Sequence, residues 1–144
     1  MKLLFLITIF AFLLRISFIT STPPSLNWDE VSHGYNAYSI LKTGKDEWGT
    51  FLPTIFRAFG DYKLPVYIYL TVPAVALFGL NSFSVRLISV LAGSFAIAGT
   101  FFLFKTLFPN DEGHKTKVYK THLTLAGISA VILSVLPWHF FLSR

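Results

Sequence analysis

Three long apolar stretches constrain this chain more than anything else in it. Leu3–Ile19 is interrupted only by Arg15, and neither Leu87–Phe104 nor Leu123–Phe141 carries a charge. Each is long enough to span the hydrocarbon core of a bilayer. Hydrophobic residues make up 53% of the chain and charged ones only 13%, with a mean hydropathy of +0.61. That balance excludes a disordered chain and argues against a soluble globular domain. The expectation is an all-α, polytopic integral membrane protein with about three transmembrane helices.

Net charge is +5. It is not read as nucleic-acid binding, because the basic residues are dispersed and several flank apolar spans, where Lys and Arg report orientation. There is no Cys, hence no disulfide and no thiolate metal site. The loop Lys105–Thr121 carries Lys105, Lys115, Lys117 and Lys120 against Asp111 and Glu112, and Lys2 precedes the first span. Both points are predicted to be cytoplasmic. Between them the chain must cross an even number of times, and Leu3–Ile19 and Leu87–Phe104 supply the two crossings. Lys2 also suits the start of a signal peptide, but Arg15 interrupts the apolar core and no A-x-A-like site follows, so a retained anchor is expected. The stop at Ser143-Arg144, directly after an apolar span, gives the expectation of an incomplete protein.

Residues 20–85 then form the first extracytoplasmic loop, with five of the seven acidic residues. Within it, Leu64–Leu80 is a 17-residue apolar segment that should not cross. Pro73 sits in its middle, Tyr67 and Tyr69 suit the headgroup zone, Pro65 fits a first helical turn and Gly79 a C-terminal end. An ordinary kinked span is the alternative, and it would put Lys105–Thr121 outside. Val31, Tyr35, Tyr38 and Leu41 recur at helical spacing opposite Ser32, Asn36 and Ser39, which predicts a second interfacial helix, aromatic face on the membrane, ending at Gly44. Residues 45–60, punctuated by Trp48, Gly49, Pro53 and Gly60, read as irregular. Small residues from Ala92 to Gly99 and from Ala126 to Ala130 suit close helix packing.

The outer loop also holds the chemistry. Asn27-Trp28-Asp29-Glu30 opens the first surface helix, and Asp61-Tyr62-Lys63-Leu64-Pro65 precedes the second. Charges at a bilayer surface are costly to desolvate and more often serve function than packing. Asp29 reads as an N-cap, with Glu30 favourable in the first turn, and equally as a general base. His33 lies four residues after Asp29, on the same helix face. No cofactor is required; a divalent metal on Asp29 and His33 is left open, with a hydrogen-bonded surface His as the plainer reading. Lys63 is either a snorkelling interfacial Lys or a point charge for a lipid-linked phosphate, and Asp61 is its salt-bridge partner. Arg15 either snorkels to the outer interface or packs into the helix bundle. Arg57, Arg86 and Arg144 fall on the outer side, which makes an anionic partner plausible there. Trp138 and His139 read as an aromatic-belt anchor. No Gly-rich phosphate loop, G-x-S-x-G or H-E-x-x-H motif occurs.

Trp28-Asp29-Glu30 after a short anchor, Asp61-Tyr62-Lys63-Leu64-Pro65, and Leu77-Phe78-Gly79-Leu80-Asn81-Ser82-Phe83-Ser84-Val85-Arg86 entering the next span form an ordered set. That set resembles the bacterial GT-C glycosyltransferases, family 39-like, the group of aminoarabinose transferases and protein O-mannosyltransferases. The resemblance covers most of this chain but only the N-terminal part of such enzymes. It implies sugar transfer from a polyprenyl-phosphate donor to a lipid, glycan or protein acceptor on the extracytoplasmic face of the cell membrane. Asp29 then falls on the family's first-loop Asp and Lys63 on its phosphate-contacting Lys, with Glu30, His33, Asp61 and Tyr62 as supporting residues. The sequence departs from the pattern at Tyr62 (Glu in the family), at Leu64 before Pro65, and at Ser32 (Arg in the aminoarabinose transferases). The family's second acidic residue would lie beyond Arg144, so residues 1–144 are expected to be inactive alone. The family's first outer loop carries two surface helices, in agreement with the charge argument. The competing expectations are a non-catalytic membrane scaffold whose acidic loop binds a partner and a transporter fragment, although the later spans lack mid-membrane polar residues.

Overall fold

The computed structural model describes residues 2–109, 114–115 and 122–143. Asp111, Glu112, Lys117, Lys120 and Arg144, on which the orientation and outer-charge readings partly rest, lie outside the described residues. The chain is mostly helical: α1 (Lys2–Ile16), α2 (Trp28–Thr43), α3 (Pro65–Phe78), α4 (Ser82–Leu107), α5 (Leu125–Val135) and α6 (Pro137–Leu142). Two short antiparallel pairs interrupt this pattern, β1 (Phe56–Ala58) with β2 (Asp61–Lys63) and β3 (His114–Lys115) with β4 (His122–Leu123). The contacts divide the chain into two compact units, one of Met1–Ser17 with Ser89–Arg144 and one of Phe18–Ile88.

In the first unit α1 packs on α5. Leu4, Ile7, Ala11 and Arg15 recur every three or four residues and form the buried stripe of α1. Ile7, Ala11, Ile97 and Ala130 make the core, flanked by Phe101 and Leu133. A helix that is also apolar on its outer face, as α1 is at Phe5, Phe10 and Leu13, has no water-facing side. Among the described residues, α4 is the one helix long and apolar enough to cross a membrane, at 26 residues. The first span is shorter than expected, because α1 ends at Ile16 after 15 residues, about 22 Å of helix. The third expected span is not one helix. Pro137 has no N–H and disfavours a helical residue before it; Leu136 sits at φ −59°, ψ 117°, and the chain restarts as α6. Gly93 on α4 marks the tightest approach, since a Cβ there would overlap that of Ser143. Gly93→Ala is therefore expected to cost about 1–3 kcal/mol by overpacking, read as a lower melting temperature in detergent with unchanged helicity.

In the second unit α2 packs on α3 around Ala37, Ile40, Phe56, Ile68 and Val75. The predicted ends at Gly44 and Gly79 hold, while α3 is shorter than the expected Leu64–Leu80 and α2 begins at Trp28 behind an Asn27 cap. Gly44 closes α2 in the left-handed region at φ 70°, where a Cβ would be strained. Pro65 occupies the first turn of α3 and Gly79 follows its last residue. At 14 residues α3 is about 21 Å long, well short of the roughly 30 Å of a hydrocarbon core. The polar stripe of α2, Ser32 and Asn36, faces inward, while Val31, Tyr35, Tyr38 and Leu41 are exposed. The stretch 45–60 is more ordered than expected. Asp46 Oδ1 accepts the Trp48 and Thr50 N–H groups at 3.0 and 2.7 Å, and Glu47 and Asn36 exchange hydrogen bonds. The β1–β2 hairpin turns on Phe59 and Gly60, both at positive φ (50° and 82°), as a two-residue hairpin requires.

Candidate functional site

The hairpin decides where the second motif points. Successive strand residues alternate faces, so Asp61 and Lys63 share one face of β2 and Tyr62 takes the other. Lys63 Nζ lies 3.1 Å from Asp61 Oδ2 and 2.9 Å from Asp29 Oδ1. The contact with Asp29 closes 34 residues of sequence and ties the first turn of α2 to β2. Lys63 is 18% exposed at its side chain and Asp29 58%, so the amine is sheltered and the carboxylate faces outward. Two of the three ammonium donors are used. The Asp29 carboxylate, then that of Asp61, raises the Lys63 pKa above its ordinary value. The Tyr62 N–H, then the Lys63 ammonium, holds the Asp61 carboxyl below its own. Tyr62 donates that N–H at 2.7 Å while its ring is exposed.

Asp29 does not cap α2. Asn27 does: its Oδ1 accepts the Glu30 N–H at 2.8 Å, and Glu30 Oε2 accepts the Asn27 N–H at 2.8 Å, a reciprocal capping box. The Asn27-x-x-Glu30 spacing before an apolar stretch was the available sequence signal. This relieves Asp29 of the capping role and leaves its carboxylate to Lys63. Glu30 is correspondingly structural rather than a partner to Asp29. It also receives Arg86, whose Nε and Nη2 donate to its two oxygens at 2.7 and 3.2 Å. Arg86 is 1% exposed, so it is not available to the external anion expected for it.

His33 is half-buried against Tyr67, with ring centroids 4.9 Å apart, and the Tyr67 hydroxyl donates to the Val85 carbonyl at 2.7 Å. Burial pushes the imidazole below its ordinary pKa, partly opposed by Asp29 and aided by Lys63. Among the described residues no three His, Asp or Glu side chains converge, so Asp29 and His33 gain no third ligand there. Trp28 meets Phe59 edge-on at 5.6 Å, an aromatic contact between α2 and the hairpin turn that the sequence reading did not single out. Arg57 stacks on Trp48 at 5.0 Å and remains exposed.

In the other unit, Arg15 does not snorkel. It is fully buried, and its guanidinium donates to Ser143 Oγ, to the carbonyls of Ala11, Ser134 and Leu133, and to His139 Nδ1 at 2.7 Å. His139 is thus a partner of Arg15 rather than a belt anchor, while Trp138 stays exposed.

The arrangement in the second unit offers a carboxylate beside a partly sheltered ammonium, the pairing that proton abstraction next to a developing anion uses. No family model, no curated protein and no solved structure matches the chain.

Proposed function

We propose that this chain belongs to a multi-pass cell-membrane glycosyltransferase that moves a sugar from a polyprenyl-phosphate donor to a lipid, glycan or protein acceptor on the extracytoplasmic face. The observation that carries the reading is the Asp29–Lys63 contact, which joins the two separated motifs of the GT-C resemblance in one place. The distribution of side chains favours a lipid setting. Phe5, Leu13, Leu77, Phe95 and Phe141 are exposed while Arg15, Arg86, Asn36, Thr71 and Ser84 are buried, the reverse of what water selects. In this reading the chain crosses the bilayer more than once, with the N-terminus cytoplasmic and residues 20–85 on the extracytoplasmic side.

The chemistry follows from the pair. The acceptor's oxygen or nitrogen attacks the anomeric carbon, the bond from that carbon to the phosphate oxygen breaks, and the polyprenyl phosphate leaves with the electron pair. Lys63 stabilises the charge that develops on the phosphate, and Asp29 takes the proton of the nucleophile. A phosphate arriving at Lys63 competes with its carboxylate partners. Donor binding therefore loosens Asp29 from Lys63 and releases it as a base at the moment it is needed. A divalent metal, if used, would be held by Asp29, with His33 as its neighbour on the helix.

The test is transfer of a radiolabelled sugar from synthetic polyprenyl phosphates, hexosyl and pentosyl, in membranes from cells expressing the whole gene that encodes this sequence. Label is expected to leave the lipid for an acceptor. No transfer from any donor of the panel, with the protein present in the membrane, overturns the reading. Orientation is checked separately. In a background in which any Cys of the full-length protein is replaced by Ser (residues 1–144 have none), Trp48→Cys introduces a single thiol, and a membrane-impermeant maleimide is expected to label it in intact cells. Labelling only after the inner face is opened would reverse the topology.

A further inference from the structure

We infer that Arg86 is a positioning residue for Asp29, and this rests on the transferase reading above. Arg86 has five N–H donors, and the structure accounts for all of them. Nε donates to Glu30 Oε1 at 2.7 Å, Nη1 to the carbonyls of Ile19 and Pro23 at 2.8 and 2.9 Å, and Nη2 to the Ser25 carbonyl and Glu30 Oε2 at 2.9 and 3.2 Å. A planar fork with donors on three nitrogens makes this set; a Lys ammonium does not reproduce it. The three carbonyls belong to the segment that enters α2, and the carboxylate belongs to its first turn. One buried side chain therefore fixes both the approach of the chain and the start of the helix.

Asp29 is the residue next to Glu30 in that turn. Its carboxylate is mostly exposed, and Lys63 is the group that meets it. Where it sits is set by the backbone beneath it. Glu30 closes the capping box through Oε2 and receives Arg86 through both oxygens, so the cap and the anchor share one carboxylate. Releasing Arg86 lets the turn shift as a body. A displacement of about 1 Å at a reacting group is enough to cost on the order of a hundredfold in rate. Arg86 touches neither Lys63 nor Asp29, so any effect on them passes through the position of α2.

Two variants test this. Arg86→Lys keeps the charge and loses the fork. Glu30→Gln keeps the capping box, in which Gln serves at the same position, and loses the charge of the anchor. Each is examined as the full-length protein in nanodiscs for melting temperature, for the rate at which Lys63 is acylated by a small anhydride, and for the kinetics of sugar transfer. Loosening Asp29 from Lys63 lowers the ammonium pKa toward its ordinary value and exposes more free amine. The expected result is a several-fold faster acylation of Lys63 in both variants, with kcat down about tenfold or more and the donor KM changed much less. Should Arg86→Lys fail to fold, Glu30→Gln decides alone. Folded variants whose Lys63 reactivity and kcat match the wild type would overturn the inference, leaving Arg86 a purely structural anchor. The acylation rate needs no turnover, so it reads the positioning role even if wild-type protein transfers no sugar.

Discussion

Asp29→Asn is expected to lower sugar transfer by about a hundredfold or more while leaving the melting temperature nearly unchanged, the range that loss of a general base commonly produces. Separation of the two effects is the informative part. The helix that carries Asp29 is capped by Asn27 and Glu30, not by Asp29, and the Asp29 carboxylate is largely exposed. Its removal leaves no buried group without a partner. Asn27→Ala should behave in the opposite sense, costing about 1 kcal/mol of stability through the lost cap. Lys63→Ala should raise the donor KM and lower kcat together, because Lys63 holds the phosphate of the bound donor and also meets the further charge that develops as it leaves. Activity of Asp29→Asn within a few-fold of wild type, measured with the same donor, rejects Asp29 as the base. The pH profile separates the groups further. Lys63 has its pKa raised in the folded chain, so its contribution is present below the ordinary value and is lost as pH rises through the raised one. Asp61 has its pKa lowered, so its contribution is present above the ordinary carboxylate value and is lost as pH falls through the lowered one. Across neutral pH the charges of Lys63 and Asp61 are therefore constant, and a rate change near pH 6 to 7 would have to come from elsewhere than these two groups.

What the sequence revealed was mostly local. Gly44 and Gly79 end helices because the chain must take a left-handed or otherwise open conformation there, and Pro65 starts one because it needs no N–H partner; these requirements act within one turn and leave a mark in the residue type. The hairpin at Phe59–Gly60 left a weaker mark. Its two central residues need positive φ, a need normally signalled by Asn-Gly, and Phe59 hides it. The break at Pro137 had a local signal, yet the uninterrupted apolar composition from Leu123 to Phe141 argued for one helix, and in this contest backbone chemistry outweighs hydropathy. The two buried arginines were the least legible. Arg15 and Arg86 each appear in the sequence as a lone charge beside an apolar span; apart from the Ala11 carbonyl one turn before Arg15, their partners lie at least 118 and 56 residues away, the nearest of them at Leu133 and Glu30. Nothing in one-dimensional pattern separates an arginine that snorkels to a headgroup from one that feeds five internal acceptors. The pairing of Asp29 with Lys63 sat between these cases. Residue type marked both as reactive and topology put both in one loop, but the alternation of β2 is what turns Lys63 toward Asp29 and Tyr62 away.

Arg15→Leu is expected to destabilise the unit of Met1–Ser17 with Ser89–Arg144 by about 3 kcal/mol or more, the largest stability effect of any single substitution considered for this chain. The reason lies in Pro137. A helix running on through residue 137 would satisfy the Leu133 carbonyl with the N–H of that residue, and proline has none. With the break at Leu136, the carbonyls of Leu133 and Ser134 turn instead to the Arg15 guanidinium, at 3.5 and 3.2 Å. Arg15 also reaches the Ala11 carbonyl of its own helix and His139 Nδ1 at the start of α6, so one side chain bridges α1 to both sides of the break. Leucine fills similar space and removes a buried charge, which taken alone would stabilise. It also orphans two carbonyls, each costing about 1–3 kcal/mol when buried and more in hydrocarbon, where no water can replace the lost donor. The orphaned groups win because the break is built into the sequence and remains in the variant. A second substitution shows whether this is the cause. Pro137→Ala restores the missing N–H and lets α5 and α6 join, so in the Arg15→Leu background it should recover part of the lost stability, although alone it should do little or harm. Thermal unfolding in detergent, followed by circular dichroism, measures all four members of this cycle. Additive effects, with no recovery in the double variant, would show that Arg15 holds this unit together by some route other than the broken helix.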